Sequence, residues 1–206
     1  MVAGLIAGFT RLVTGATATW HVQPRSARVR VYFANHSSHA DFATIWAALP
    51  PDVRERTRPV AAADYWQRGA VRRYLAARVF RAVLIDRAGG GPAATEQMVA
   101  ALRAGDSLII FPEGTRGDGR SIAPFRSGLY HLAVAFPEAE LVPVRLVNLN
   151  RGLPKGETIP VPVIARLTFG PPLGVGPGES KESLLARAHA AVAALDETRN
   201  LDRGPA

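Results

Sequence analysis

Residues 28–34, RVRVYFA, run straight into residues 35–41, NHSSHAD, and that passage decides how the rest of the chain is read. Val29, Val31 and Phe33 alternate, so they share one face of a half-buried strand that ends at Asn35. Ser38 then reads as a helix N-cap with Asp41 three residues on, an acidic variant of the capping box. The apolar run from Phe42 to Leu49 continues the helix, and Pro50-Pro51 stops it. His36 is therefore expected on a strand-end loop and Asp41 in a first helical turn. On one continuous helix a five-residue step would turn the two side chains about 140° apart. Across a strand-to-helix turn they can meet, as a base and its orienting carboxylate do. Two plainer readings also fit the string. Asp41 could favour the helix N-terminus through the macrodipole, with His36 bonded to backbone; or His36, His39 and Asp41 could be metal ligands, although no Cys or further His cluster completes a zinc set.

Outward from this passage, strands alternate with helices. Strands are expected near 17–23 and over 28–34, 59–62, 83–86, 107–111, 141–146 and 165–169. Helices are expected over 2–14, 38–48, 70–82, 94–104, 127–135 and 180–198. A connector rich in Arg and Pro follows the second helix, Gly89-Gly90-Gly91-Pro92 reads as a loop, and 151–162 reads as an excursion containing Pro154, Gly156, Pro160 and Pro162. This order implies an α/β fold: a single layered domain with a mixed central sheet flanked by helices. At 206 residues and 48% hydrophobic, the chain can bury one substantial core and is short for two.

Composition removes several functions. The absence of cysteine excludes disulfides, thiolate metal sites and a cysteine nucleophile, and it suits a cytosolic setting. The net charge of +8 implies an anionic partner. Only two of the 25 basic residues are lysines, an arginine bias that, with abundant Ala and Gly, points to a GC-rich, bacterial genome. Residues 67–81 carry Arg68, Arg72, Arg73, Arg78 and Arg81 among Tyr74, Leu75, Val79 and Phe80. They read either as a solvated helix face or as a surface attracted to anionic lipid. Nothing resembles a nucleic-acid module, so no nucleic-acid partner is expected. No uncharged apolar run is long enough to span a bilayer. Residues 1–14 form an amphipathic helix: Val2, Leu5, Ile6, Phe9, Leu12 and Val13 lie on one stripe, with Ala3, Gly4, Ala7, Gly8 and Arg11 opposite. That stripe either packs on the core or lies in a membrane interface. Without a basic segment ahead of it, and with Arg11 inside it, it does not read as a signal peptide.

A second passage, SLIIFPEGTR over 107–116, is again a short apolar strand that empties into a polar loop. His36-x-x-x-x-Asp41 together with Phe111-Pro112-Glu113-Gly114-Thr115-Arg116 resembles the glycerolipid acyltransferases of the 1-acylglycerol-3-phosphate type. Ile85-Asp86-Arg87 and Val142-Pro143-Val144 fall where that family's other blocks lie, and Ala62 to Trp66 and Phe125 to Gly128 are also similar. The resemblance covers about residues 29 to 147, in the family's order. It implies residues 15–206 as an acyltransferase domain behind the 1–14 helix. His36 would be the general base and Asp41 its orienting carboxylate, with Arg87, Glu113, Gly114, Thr115 and Arg116 holding the acceptor. Ser37 and Ser38 would be turn and cap residues. The implied reaction moves a fatty acyl group from acyl-CoA or acyl-carrier protein to a lysophospholipid, 1-acylglycerol 3-phosphate, giving phosphatidate. Neither a metal nor another cofactor is implied, because the thioester is already activated. The implied location is peripheral, on the cytoplasmic side of an anionic membrane surface. Another lysolipid or glycerol 3-phosphate remains open as acceptor, as does a peripheral membrane-binding protein without catalysis. Leu84-Ile85-Asp86-Arg87 lacks the glycine and aromatic residue that commonly precede this block in the family.

Overall fold

The computed structural model describes residues 2–24, 28–86, 90–149 and 165–201. Arg87 and the expected 151–162 excursion lie outside the described residues. The strands are β1 (Thr17–Trp20), β2 (Arg30–Ala34), β3 (Thr57–Ala62), β4 (Val83–Ile85), β5 (Ser107–Ile110), β6 (Glu140–Val147) and β7 (Arg166–Phe169). They form one sheet in the order β1-β7-β6-β2-β5-β3-β4. All neighbours run parallel except β6 and β7, so the sheet is mixed, as the element order implied. The strands β2, β5 and β3 therefore end on the same edge, where a parallel sheet gathers its ligand-binding loops.

The helices are α1 (Val2–Thr14), α2 (Asp41–Ala48), α3 (Pro51–Glu55), α4 (Ala63–Trp66), α5 (Ala70–Tyr74), α6 (Gly90–Arg103), α7 (Gly128–Ala135) and α8 (Lys181–Leu201). Both faces of the sheet are covered. Tyr32 and Ala34 pack with Ile45 and Trp46 of α2 and Ala7 of α1. Val31 and Phe33 pack with Leu102 of α6, Leu132 of α7 and Leu184 of α8. All five residues of β2 are buried, so the half-buried strand read from the alternation is in fact central and covered on both sides, the usual condition of parallel sheets. Arg30 is accommodated there by an ion pair to Glu140 at 2.8 Å.

Local chemistry moved several boundaries. Leu49 is extended ahead of Pro50, which ends α2 at Ala48; Pro51 then opens α3, where its fixed φ suits a first helical turn. The Pro-Pro pair thus starts a helix as well as stopping one, and α3 was read as connector. The helix expected over 70–82 is α5 followed by a π-helical turn, Leu75–Val79. The Gly89 to Pro92 stretch is not all loop, because α6 begins at Gly90 and holds Pro92 in its first turn.

On α1 the two faces have separated. Ala7 is buried, and Ala3 and Ile6 pack on the core. Arg11 Nε donates to the Ala47 carbonyl at 2.7 Å, placing a cation at the C-terminal end of α2. The opposite side leaves Val2, Leu5, Phe9 and Leu12 exposed at 45, 71, 66 and 82%. Among the described residues no helix is long and apolar enough to cross a membrane.

Candidate active site

The last residue before the site, Asn35, is buried where β2 ends. Its Nδ2 donates to the Leu146 carbonyl at 2.9 Å and its Oδ1 accepts the Leu146 N–H at 2.8 Å. A side chain thus continues the β2–β6 ladder for one more rung and fixes where the chain leaves the sheet. His36 follows, with its ring stacked on Phe111 at 4.2 Å between centroids. Its Nδ1 lies 2.8 Å from Asp41 Oδ2. The pair expected across the strand-to-helix turn is present.

Asp41 does more than orient the ring. Oδ2 also accepts the Ser37 N–H at 2.6 Å and the Ser38 N–H at 2.8 Å, so the carboxylate holds the loop that carries its partner. The side chain is fully buried, and Oδ1 is a buried oxygen without a hydrogen-bond partner. A buried carboxylate satisfied on one oxygen only leaves negative charge to be compensated. A proton gained by His36 compensates it directly. With Nδ1 committed to Asp41, Nε2 is the ring nitrogen left for substrate, and the His36 side chain keeps 21% of its surface open.

The expected Ser38 cap is not formed. The helix starts at Asp41, the preceding residue is Ala40, and no side chain caps it. Ser38 Oγ instead accepts the Ala40 N–H at 3.3 Å within the turn. Asp41 keeps its half of the expected box, accepting the Ser38 N–H, while the same oxygen reaches further back to the His36 loop.

The FPEGTR loop splits into inward and outward parts. Gly114 has φ +74°, and a β-carbon there would lie 2.7 Å from Arg126 Nε, so only glycine fits the turn. Arg126 closes over this turn and donates from Nε to the Glu113 carbonyl at 3.1 Å. Thr115 and Arg116 are exposed beyond it. Glu113 is turned inward, 3% exposed. Its Oε1 accepts the His36 N–H at 2.6 Å and its Oε2 accepts the Ala123 N–H at 2.9 Å. Gly117 N–H donates to the His36 carbonyl at 2.9 Å. Both backbone groups of His36 are therefore anchored to the loop after β5, at Glu113 and at Gly117. Glu113, expected among the acceptor-holding residues, has both oxygens engaged by backbone amides and holds the His36 backbone.

His39 turns to a different aromatic partner from His36. It stacks on Tyr65 at 5.5 Å between centroids, and the guanidinium carbon of Arg72 lies 4.4 Å from the centre of the same Tyr65 ring. Burial first, then the charges of Arg116, His36 and Arg72, hold the His39 imidazole below the ordinary histidine range. Among the described residues no group of three or more His, Cys, Asp or Glu is placed to hold a metal ion. Asn35, Tyr65 and Arg72 were not singled out as site residues from the sequence. An Asn at a strand end and an aromatic residue seven positions before an arginine are signals too common to notice alone.

Fold and site together define a class: an α/β domain with an imidazole paired to a buried carboxylate, set at the edge where parallel strands end. The Acyltransferase family model matches residues 21–147, and the chain belongs to that family. A protein of Salmonella typhimurium named 1-acyl-sn-glycerol-3-phosphate acyltransferase is 31% identical over 138 residues, 59% of this chain and 50% of that protein. One of the same name from Limnanthes alba is 34% identical over 149 residues, 69% of this chain and 50% of that protein. The chain thus spans about half the length of the curated relatives it matches. The crystal structure of the 1-acyl-sn-glycerophosphate (LPA) acyltransferase PlsC from Thermotoga maritima superposes with a TM-score of 0.74 at 20% identity, covering 100% of this chain and 81% of that one. The shared fold is the content of that last match.

Proposed function

We propose that this protein transfers a fatty acyl group from an acyl-CoA or acyl-carrier-protein thioester to the free hydroxyl of 1-acylglycerol 3-phosphate. The observation that carries the reading is the His36–Asp41 pair at 2.8 Å, with the carboxylate buried and one ring nitrogen uncommitted. The names of the relatives support the choice of acceptor. In the proposed reaction His36 Nε2 takes the proton of the acceptor hydroxyl as its oxygen attacks the thioester carbonyl. Asp41 stabilises the imidazolium, as in a serine-protease pair whose nucleophile is supplied by the substrate. The tetrahedral intermediate then expels the thiolate, which recovers the proton from His36. No acyl-enzyme forms. No metal is required, because the thioester is a competent acyl donor and the phosphate is a spectator.

The test is thiol release from acyl-CoA or acyl-carrier protein with and without 1-acylglycerol 3-phosphate. Release that does not depend on the acceptor would sink the proposal. In this scheme Arg116 grips the acceptor phosphate, its fork suited to two parallel bonds. Arg116→Ala is expected to raise the acceptor KM about tenfold or more, with turnover at saturation little changed, because phosphate binding differs little between ground and transition states. Arg116→Lys should recover part of the loss. A fall in saturating turnover with unmoved KM would contradict the phosphate role. Arg87 is proposed as a second phosphate residue on the strength of its sequence block alone, and Thr115 as a hydroxyl donor beside Arg116.

The acceptor is a lipid, and α1 offers a surface for it. We place the protein peripherally at the cytoplasmic face of a membrane, with Val2, Leu5, Phe9 and Leu12 in the interface and the arginines near anionic headgroups. The inner face of α1 packs on α2, so removing the helix would damage the core as well as the surface. Substituting Leu5, Phe9 and Leu12 together by serine separates the two. Each apolar side chain buried in the interface contributes roughly 1.5–3 kcal/mol before ordering costs. The triple variant should therefore lose most co-sedimentation with anionic vesicles and keep the melting temperature within a few degrees of wild type. Undiminished vesicle binding would remove α1 from the membrane contact.

A further inference from the structure

Two segments meet the turn after β2 that carries His36: the FPEGTR segment after β5, through Phe111 and Glu113, and the α4–α5 corner after β3, through Tyr65 on His39. The α4–α5 corner contributes a stack. Tyr65 of α4 meets both the His39 ring, 5.5 Å away and tilted by 17°, and the Arg72 guanidinium of α5, 4.4 Å from the phenol centre. Of the described arginines, Arg54 and Arg72 sit over an aromatic ring, and Arg54 does so on Trp46 of α2. A guanidinium lying over an aromatic face keeps its in-plane N–H groups for other partners, and the stack reduces the rotamer freedom lost when those partners arrive. The stack starts from His39, three residues after the base, so the position of Arg72 is tied to the loop that carries His36.

We infer that Arg72, seated on the Tyr65–His39 stack, forms with Arg116 a basic wall that binds the phosphate monoester of a substrate beside the His36 base. The inference rests on the acyl-transfer reading and extends it to residues outside its sequence blocks. Arg116 precedes Gly117, whose N–H is bonded to the His36 carbonyl, and Arg72 reaches the same loop through Tyr65 and His39, so both arginines belong to segments tied to the His36 turn; the charges of both act on the His39 imidazole. Both charges disfavour protonation of that imidazole, and His39 supplies the aromatic end of the stack on which the permanently charged Arg72 sits. Two substrates bear phosphate: the glycerol acceptor, whose phosphate must lie a few bonds from the attacking hydroxyl, and a nucleotide thioester donor. The geometry fixes the phosphate chemistry, and kinetics tell the two sources apart.

The experiment compares the full chain with Arg72→Ala, Tyr65→Leu and Tyr65→Phe, varying each substrate with the other saturating. Arg72→Ala is expected to raise one KM about tenfold or more, the size of one charge-assisted hydrogen bond, with saturating turnover nearly unchanged. A raised acceptor KM assigns the wall to the glycerol phosphate; a raised donor KM also supports the wall and assigns it to the nucleotide phosphates. Tyr65→Leu should raise the same KM, and Tyr65→Phe, which keeps the ring, should restore it. Inorganic phosphate, used as a competitive inhibitor and as a ligand in calorimetry, should bind about tenfold more weakly to Arg72→Ala. Both KM values within twofold of wild type, or a Tyr65→Phe variant as impaired as Tyr65→Leu, would overturn the inference. The phosphate measurement needs no turnover, so it separates this inference from the proposed reaction. Acceptor-independent thiol release refutes the reaction, whereas phosphate bound equally by wild type and Arg72→Ala refutes the wall.

Discussion

Replacing His36 by alanine is expected to lower acyl transfer by about 10²–10⁴-fold, the usual contribution of a general base, and to leave the protein folded. The structural half of this expectation follows from what holds the loop. The backbone N–H of His36 is bonded to Glu113 and its carbonyl to Gly117, and neither bond involves the ring. Asp41 keeps the Ser37 and Ser38 amides when the imidazole is gone, so the carboxylate remains held. The chemical half follows from Nδ1 being committed to Asp41, which leaves a single ring nitrogen to take the hydroxyl proton. Asp41→Asn should lose less, because an amide can still contact the ring while the preferred tautomer and the compensation of the imidazolium are weakened. Thiol release under saturating substrates, with circular dichroism and melting curves on the same samples, measures both halves. A variant that retains more than about a tenth of wild-type activity would remove His36 from the base role.

The sequence revealed the parts of this site that are local. A strand, a polar turn and an apolar helix within 28–49 leave little freedom for His36 and Asp41, and the two residues lie five positions apart. The layered α/β order was legible for the same reason, since each element announces its own period. What escaped the reading depends on partners far along the chain. Glu113 meets His36 across 77 positions and Asn35 meets Leu146 across 111, and a carboxylate in a tight polar loop gives no sign of which amides it will face. The two faces of α1 were left open by the sequence. Its larger apolar stripe suited either the core or an interface, and which face packs was decided by neighbours: Ala3, Ala7 and Ile6 meet the core, leaving Leu5, Phe9 and Leu12 outside. The Pro-Pro pair at 50 and 51 was legible as a stop, but a proline that ends one helix is equally suited to the first turn of the next.

Glu113 yields the second large effect, and its signature separates two roles that the sequence could not. If the carboxylate held the acceptor, Glu113→Ala would chiefly raise the acceptor KM, and glutamine could replace it in part. In the structure both oxygens accept backbone amides, from His36 at 2.6 Å and Ala123 at 2.9 Å, in a nearly closed position. Alanine leaves both amides without this partner, at a cost of about 1–3 kcal/mol in stability, more if neither finds water. The catalytic consequence is larger than the stability loss suggests. The His36 N–H is one of the two backbone groups that fix the base, and a displacement of about 1 Å at a catalytic group can lower the rate on the order of 10²-fold. Glutamine is not a mild replacement here, because its amide nitrogen would confront one of the two N–H donors and could only repel it. The expected result is therefore a fall in turnover of about 10–10²-fold for both Glu113→Ala and Glu113→Gln, with the acceptor KM nearly unchanged and the melting temperature lowered in each. Steady-state kinetics with acceptor varied, alongside thermal unfolding of the same variants, decide the question. A raised KM with intact turnover, and a glutamine variant close to wild type, would return Glu113 to the acceptor site and leave the His36 loop to be held by Asp41 and Gly117 alone.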